Sequence, residues 1–189
     1  MTSQAGRLWR ALALCCVMFF GSTAPEQINA GEDFLQLTPD WEFVSDRVMG
    51  GVSEGTVQRA TVAGRAAVRL SGQVSLANNG GFVQMGFDLN AGRAFDASEW
   101  AGIQLEVRGN GETYEIRLRT TDLTRPWQSF RAAFEGTSDW THLRLPFSAF
   151  EAHRTDASFD PRKLRRVGVL AVGRAFEADI AVAAVGFYK

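Results

Sequence analysis

Apolar and polar residues alternate with a period of two along much of this chain. Across residues 102–120, GIQLEVRGNGETYEIRLRT, Ile103, Leu105 and Val107 fall on one face and Gln104, Glu106 and Arg108 on the other. After Gly109-Asn110-Gly111 the same alternation sets Tyr114, Ile116 and Leu118 against Glu115, Arg117 and Arg119. A period of two marks a strand with one dry face, and a glycine-rich break between two such strands predicts a hairpin. The pattern returns where Thr141, Leu143 and Leu145 alternate with His142 and Arg144, and apolar strand-like runs occupy residues 66–70, 82–89, 127–134, 167–172 and 180–187. No segment holds the 3.6-residue stripe of a long helix, so helix is expected only as short turns at 147–150 and 161–164. The layout is that of an all-β protein: two antiparallel sheets packed face to face, a β-sandwich or jelly roll. Without a repeat, a low-complexity stretch or a linker, residues 31–189 read as a single domain.

The first thirty residues follow a different rule. Arg7 and Arg10 precede an uncharged run from Ala11 to Phe20, followed by small and polar residues through Ala24 and Ala30. That order is the layout of a secretory signal peptide over residues 1–30, and the run is too short to span a bilayer, which takes roughly 20 apolar residues. Export to the periplasm or the exterior is the expectation. Cleavage after Ala24 is opposed by Pro25, which leaves Ala30 as the alternative. Both cysteines, Cys15 and Cys16, lie in this leader, so a chain cut at Ala30 has no disulfide, thiolate metal site or thiol nucleophile.

Charge narrows the classes of partner. With 20 Lys+Arg against 21 Asp+Glu in 189 residues, the formal charge is -1, and nothing resembles the basic footprint of a nucleic-acid-binding protein. Catalytic and metal-binding patterns are thin. His142 and His153 are the two histidines; no H-E-x-x-H, no G-x-S-x-G and no D-x-D-x-D-G loop occurs, and Asp33 and Asp40 are merely the acids best placed for a structural calcium. Glu106 and Glu115 face the same side of the expected hairpin, where Arg108, Arg117 and Arg119 suit a cross-strand charge ladder better than acid catalysis. No enzyme activity, cofactor or metal is expected.

Two glycine clusters interrupt the strands: SDRVMGGVSEG at residues 45–55 and LANNGGFVQM at residues 76–85. Gly50-Gly51 implies positive φ or a close backbone approach, and Asn78-Asn79-Gly80-Gly81 suits a tight turn or bulge. Asp46 and Arg47, just before the first glycine pair, are candidates either for ligand contact or for a clamp that holds the turn.

The DRVMGGVS segment, the NNGGF turn ending at Phe82, the VRGNG turn followed by Tyr114, and DWTHLRLPFSAF at residues 139–150 together resemble the complex I intermediate-associated protein 30 family. That resemblance spans most of residues 31–189. It implies a galactose-binding-domain-like β-sandwich and a non-enzymatic role assisting assembly of NADH:ubiquinone oxidoreductase. The chain departs from the family's mitochondrial members in its secretory leader, and its tail, GRAFEADIAVAAVGFYK, is richer in alanine.

The expected function is therefore a binding or assembly factor of the cell envelope recognising a protein partner, with membrane contact only indirect. The alternative is an exported carbohydrate-binding module. Candidate ligand or partner residues are Asp46, Arg47, Asn79, Trp100, Arg108, Arg117 and Arg119, with Gly50, Gly51, Gly80 and Gly81 as structural turns. Trp41, Trp127 and Trp140 fall on apolar patterns and are read as core, whereas Trp100, in the loop at 97–102, is read as an exposed ring.

Overall fold

The computed structural model describes residues 33–189; the predicted signal peptide, with both cysteines, lies outside the described residues. Twelve strands form two six-stranded sheets. In chain order they are β1 (Phe34–Gln36), β2 (Glu42–Ser45), β3 (Glu54–Val62), β4 (Arg65–Val74), β5 (Phe82–Asp88), β6 (Gly102–Arg108), β7 (Glu112–Thr120), β8 (Ser129–Gly136), β9 (Thr141–Pro146), β10 (Glu151–His153), β11 (Leu164–Val172) and β12 (Phe176–Tyr188). The first sheet runs β3-β4-β12-β6-β9, with β1 beside the end of β12, and the second runs β10-β8-β7-β11-β5-β2. All pairings are antiparallel. Helix is confined, among the described residues, to single 3₁₀ turns, including Phe147–Ala149 and Pro161–Lys163.

The alternating apolar residues meet between the sheets. Leu70, Ile103, Leu105 and Ile180 from the first sheet, and Met85, Ile116, Leu118 and Leu164 from the second, are fully buried. Each such side chain contributes roughly 1.5–3 kcal/mol relative to an exposed one, which makes this seam the main source of stability.

The two strands of residues 102–120 do not pair. β6 lies between β12 and β9 in the first sheet, whereas β7 lies between β8 and β11 in the second. The Gly109-Asn110-Gly111 break carries the chain across the sandwich, and its amides bond elsewhere: Gly109 N–H donates to Thr137 O and Gly111 N–H to Gly136 O, both at 2.7 Å. Tyr114 secures the crossing, its hydroxyl donating to Asn110 Oδ1 at 2.7 Å and accepting from Asp179 N–H at 2.9 Å. Two strands facing each other across a core show the same alternation as two strands of a hairpin, so periodicity alone could not separate them. Consequently Glu106 and Glu115 stand on opposite outer faces and form no ladder. Glu106 meets Arg65 and lies 3.6 Å from His142, whereas Glu115 pairs with Arg131 at 3.1 Å.

Strand β3 was invisible to the alternation test. Its residues are largely exposed, and it is held by a full register of pairing with β4 through a turn in which Ala63 and Gly64 both have positive φ. Ladder hydrogen bonds, not burial, make it a strand.

Candidate functional site

The two glycine clusters meet at one buried carboxylate. Asp46 has no exposed surface. Its Oδ1 accepts from Ser53 N–H at 2.9 Å, and its Oδ2 accepts from Ser53 Oγ at 2.5 Å, Gly81 N–H at 2.6 Å and Phe82 N–H at 3.2 Å. Burial alone would raise the carboxyl pKa, but the bonds from Ser53, Gly81 and Phe82 outweigh it and hold the group below its ordinary value. The glycines follow from this geometry. Gly50 takes the left-handed conformation with φ of 90°, whereas Gly51 is needed because a Cβ there would collide with the Asp46 carboxylate. At Gly80 a Cβ would stand 2.5 Å from Asp46 Oδ2, and Gly81 has φ of 132°. Ser53 Oγ also accepts from Ser75 N–H at 2.9 Å, so loops 46–53 and 76–82 are joined into one wall. Asp46, a candidate for ligand contact, is thus sealed from any ligand by the groups it binds. Arg47 points outward and pairs at the surface with Glu54, 2.9 Å away.

That wall borders a groove of about 800 Å³ over the outer face of the second sheet. Val48, Met49, Leu76 and Asn79 line it from the clamped loops, and Trp127 faces them from the loop between β7 and β8. The floor carries Glu115, Arg117 and Arg131, with His153 from β10 at the margin. Of the exposed large apolar side chains, Val48 (74%), Met49 (61%), Leu76 (53%) and Trp127 (45%) all lie here.

The Trp127 loop is held by arginines. Arg119 donates from Nε to Gln128 O at 3.2 Å and from Nη2 to Leu123 O at 3.2 Å and Arg125 O at 2.9 Å. Arg117 donates to Pro126 O and, through Nη1, to Gln84 Oε1 at 3.0 Å. Gln84 fits because Gly86 and Gly168 leave its amide room: a Cβ at either would come within 2.8 or 3.0 Å of Gln84 Nε2. Burial pushes the Arg117 guanidinium down to about 10, reinforced by the charges of Arg131, Arg119 and Arg166. Arg119 is lowered by burial and then by Arg165 and Arg166. His153 is likewise held below its ordinary value by burial, Arg131 and Arg154, so it is uncharged near neutral pH.

The remaining candidates lie elsewhere. Arg108 is on β6 in the first sheet, on the opposite side of the molecule from Arg117 and Arg119, so the four outward arginines of the sequence pattern are split between two faces. Arg144 lies with Arg108 on the first sheet, its guanidinium 4.1 Å from the Tyr188 ring centre. The tryptophan assignments are partly reversed. Trp100 is half-buried against the core under Lys189, 5.5 Å from its ring, whereas Trp127 is the exposed ring. Trp41 packs edge-on against Phe87 at 4.7 Å. Trp140 is half-buried, with Arg65 5.6 Å from its ring centre. The histidines are on different sheets, His142 on β9 and His153 on β10. Among the described residues no group of three or more His, Cys, Asp or Glu is arranged to hold a metal ion. A second recess, of about 600 Å³ on the first sheet, is lined mainly by small apolar residues, with Arg59 its single charge.

Periodicity gave no hint of Trp127 as a wall or of Arg131 as floor, because which loop overhangs which sheet is a tertiary fact. The one signal available was the run of apolar Val48 and Met49 inside a polar, glycine-rich turn.

The two-sheet architecture has solved counterparts. A family 11 carbohydrate-binding module from Clostridium thermocellum, in complex with a β-1,3-1,4-mixed-linked tetrasaccharide, superposes with a TM-score of 0.65 at 13% identity, covering 82% of this chain and 95% of that one. A family 30 carbohydrate-binding module of a cellulosomal cellulase of the same organism gives 0.61 at 17% identity, covering 82% and 97%. At these identities the likeness establishes the jelly-roll fold. None of the curated proteins matches the chain. The family described as complex I intermediate-associated protein 30 matches residues 32–180, a span that contains both loops meeting at Asp46 and the groove they border. By that match, which covers most of its length, this chain belongs to the complex I intermediate-associated protein 30 family.

Proposed function

We propose that this protein is a non-enzymatic binding factor of the assembly type, that it acts in the cell envelope after export, and that the groove over the second sheet docks a protein partner. The observation carrying this reading is the gathering of Val48, Met49, Leu76 and Trp127 around one groove. Exposed apolar side chains scattered singly are ordinary, but a cluster rimmed by polar residues marks an interaction surface. Three of the four are aliphatic, which suits apolar side chains of a polypeptide better than the faces of sugar rings. Family membership supports the same reading.

The test is affinity capture from an envelope fraction by the unmodified chain and by two variants. Val48→Asp with Met49→Asp should abolish capture of a discrete protein, while Gln73→Asp on the first sheet should leave it intact. Equal capture by all three would overturn the docking assignment. Export is tested separately, by fusing the predicted leader to a reporter active only outside the cytoplasm; an inactive reporter would remove the envelope from the proposal.

A second reading rests on the exposed Trp127 ring beside the polar floor of Glu115, Arg117 and Arg131, an arrangement suited to a sugar, and the carbohydrate-binding-module likeness supports it. Retardation of the chain by mixed-linked β-glucan in affinity electrophoresis, lost in Trp127→Ala, would favour the glycan over the protein partner.

A further inference from the structure

Beside the groove, and sharing Val44, Arg117 and Pro126 with it, is a notch of about 150 Å³. Its charged lining consists of Arg117, Arg119 and Arg166, with no carboxylate among the lining residues. Arg166 is neutralised from outside, by Asp88 at 2.8 Å and Glu42 at 2.9 Å. Arg117 and Arg119 are not: every bond they make within the protein goes to a carbonyl or amide oxygen. Arg117 Nε is buried and has no partner. The nearest acid on the floor, Glu115, is engaged with Arg131 at 3.1 Å.

Two guanidiniums kept side by side without a counter-ion cost the fold desolvation and mutual repulsion, which is why the Arg117 pKa falls to about 10. Backbone carbonyls could be satisfied by neutral donors, so holding the Trp127 loop does not by itself require two charges. What two charges add is a field directed into a space large enough for an oxyanion, next to a surface suited to apolar side chains. Guanidinium forks match the paired oxygens of a carboxylate.

We propose that the notch between Arg117, Arg119 and Arg166 receives a carboxylate side chain of the partner polypeptide, whose flanking apolar side chains lie in the groove between Met49 and Trp127. This rests on the protein-docking reading of the groove and adds the chemistry of the docked segment: acidic at one position, apolar on either side. The carboxylate supplies the missing counter-ion, and the groove supplies the apolar contact.

The experiment titrates the full chain with an acetylated Leu-Glu-Leu tripeptide amide and with its Leu-Gln-Leu counterpart, followed by the Trp127 indole N–H resonance. The acidic peptide should bind about tenfold more tightly, a preference expected of a charge-assisted fork over a neutral amide. Arg117→Gln should erase the preference, the acidic peptide losing severalfold more affinity than the neutral one. Should that variant fail to fold by circular dichroism, the unmodified chain still decides, because raising salt to about 0.5 M should shrink the preference severalfold. Equal binding of the two peptides overturns the carboxylate notch and leaves the apolar docking surface standing. Binding of neither overturns both readings. A soluble oligogalacturonate that binds more tightly than the acidic peptide overturns the polypeptide occupant in favour of an acidic glycan.

Discussion

Two charged sites border the same groove and are treated in opposite ways. At Asp46 a fully buried carboxylate is matched by four donors from Ser53, Gly81 and Phe82, so its charge is satisfied within the chain. At Arg117 and Arg119 two guanidiniums carry their charges against the second sheet with only neutral oxygens as partners. A buried charge whose partners are all internal stabilises a conformation, whereas one left short of a counter-ion keeps an unmet demand that a ligand can fill. The first site shapes the wall of the groove, and the second leaves chemistry on its floor.

Substitutions should separate the two. Asp46→Asn removes the charge and turns an acceptor into a donor facing N–H groups, so it should destabilise by about 3 kcal/mol and lower Tm by roughly 6–12 °C. A thermal melt within about 2 °C of the unmodified chain would break the comparison at its base.

The same clamp sets an acid dependence. The folded pKa of Asp46 lies below its unfolded value, near 3.9, so its contribution is complete above about pH 4 and is lost as pH falls through the folded value. Denaturant titrations below pH 4 should therefore show a steeper loss of stability in the unmodified chain than in Asp46→Asn. Parallel loss in the two would show that the carboxylate is not the group responsible.

Gly51→Ala should cost about 2 kcal/mol, because its Cβ meets the carboxylate. Gly50→Ala meets no atom within 4 Å and should cost only the roughly 1–2 kcal/mol of the left-handed conformation. Reversal of that order in denaturant midpoints would mean that φ, not crowding, governs the turn.

On the groove side, Trp127→Ala should cost about 1–2 kcal/mol, since the residue is 45% exposed, yet it should abolish capture of the partner. The smallest effect belongs to Arg47→Ala, which breaks an exposed pair with Glu54 and should cost no more than about 0.5 kcal/mol. A large drop in Tm from either would assign the outer face a structural role instead.

Legibility in the sequence was uneven, and the reason differs from place to place. Strands β6, β7 and β9 announced themselves because each has one dry face, which alternation records directly, whereas β5, β11 and β12 showed as continuous apolar runs because much of each is buried on both faces. The need for Gly50-Gly51 was visible too, although the physical cause divides between left-handed φ at Gly50 and the Asp46 carboxylate beside Gly51. Trp127 was misplaced because it opens the apolar run at 127–134 and so reads as strand core, whereas β8 begins only at Ser129 and leaves the ring in the preceding loop. Trp100 was misplaced for the converse reason: a loop ring can pack back on the core it flanks. The arginines were correctly outward-facing and wrongly grouped, since Arg108 and Arg117 belong to different sheets.

What the sequence determined by itself is local: which residues extend, which face of each strand is dry, where the backbone needs glycine, and which family the chain resembles. The tertiary structure alone decided that β6 and β7 face each other across the core, that loops 35 residues apart in sequence share one carboxylate, and that Arg117 and Arg119 sit beside a groove walled by Trp127. The division has a physical basis. Side-chain alternation is a property of a single strand's backbone, whereas pairing, overhang and charge compensation depend on groups brought together from distant parts of the chain, and no local period encodes their distance.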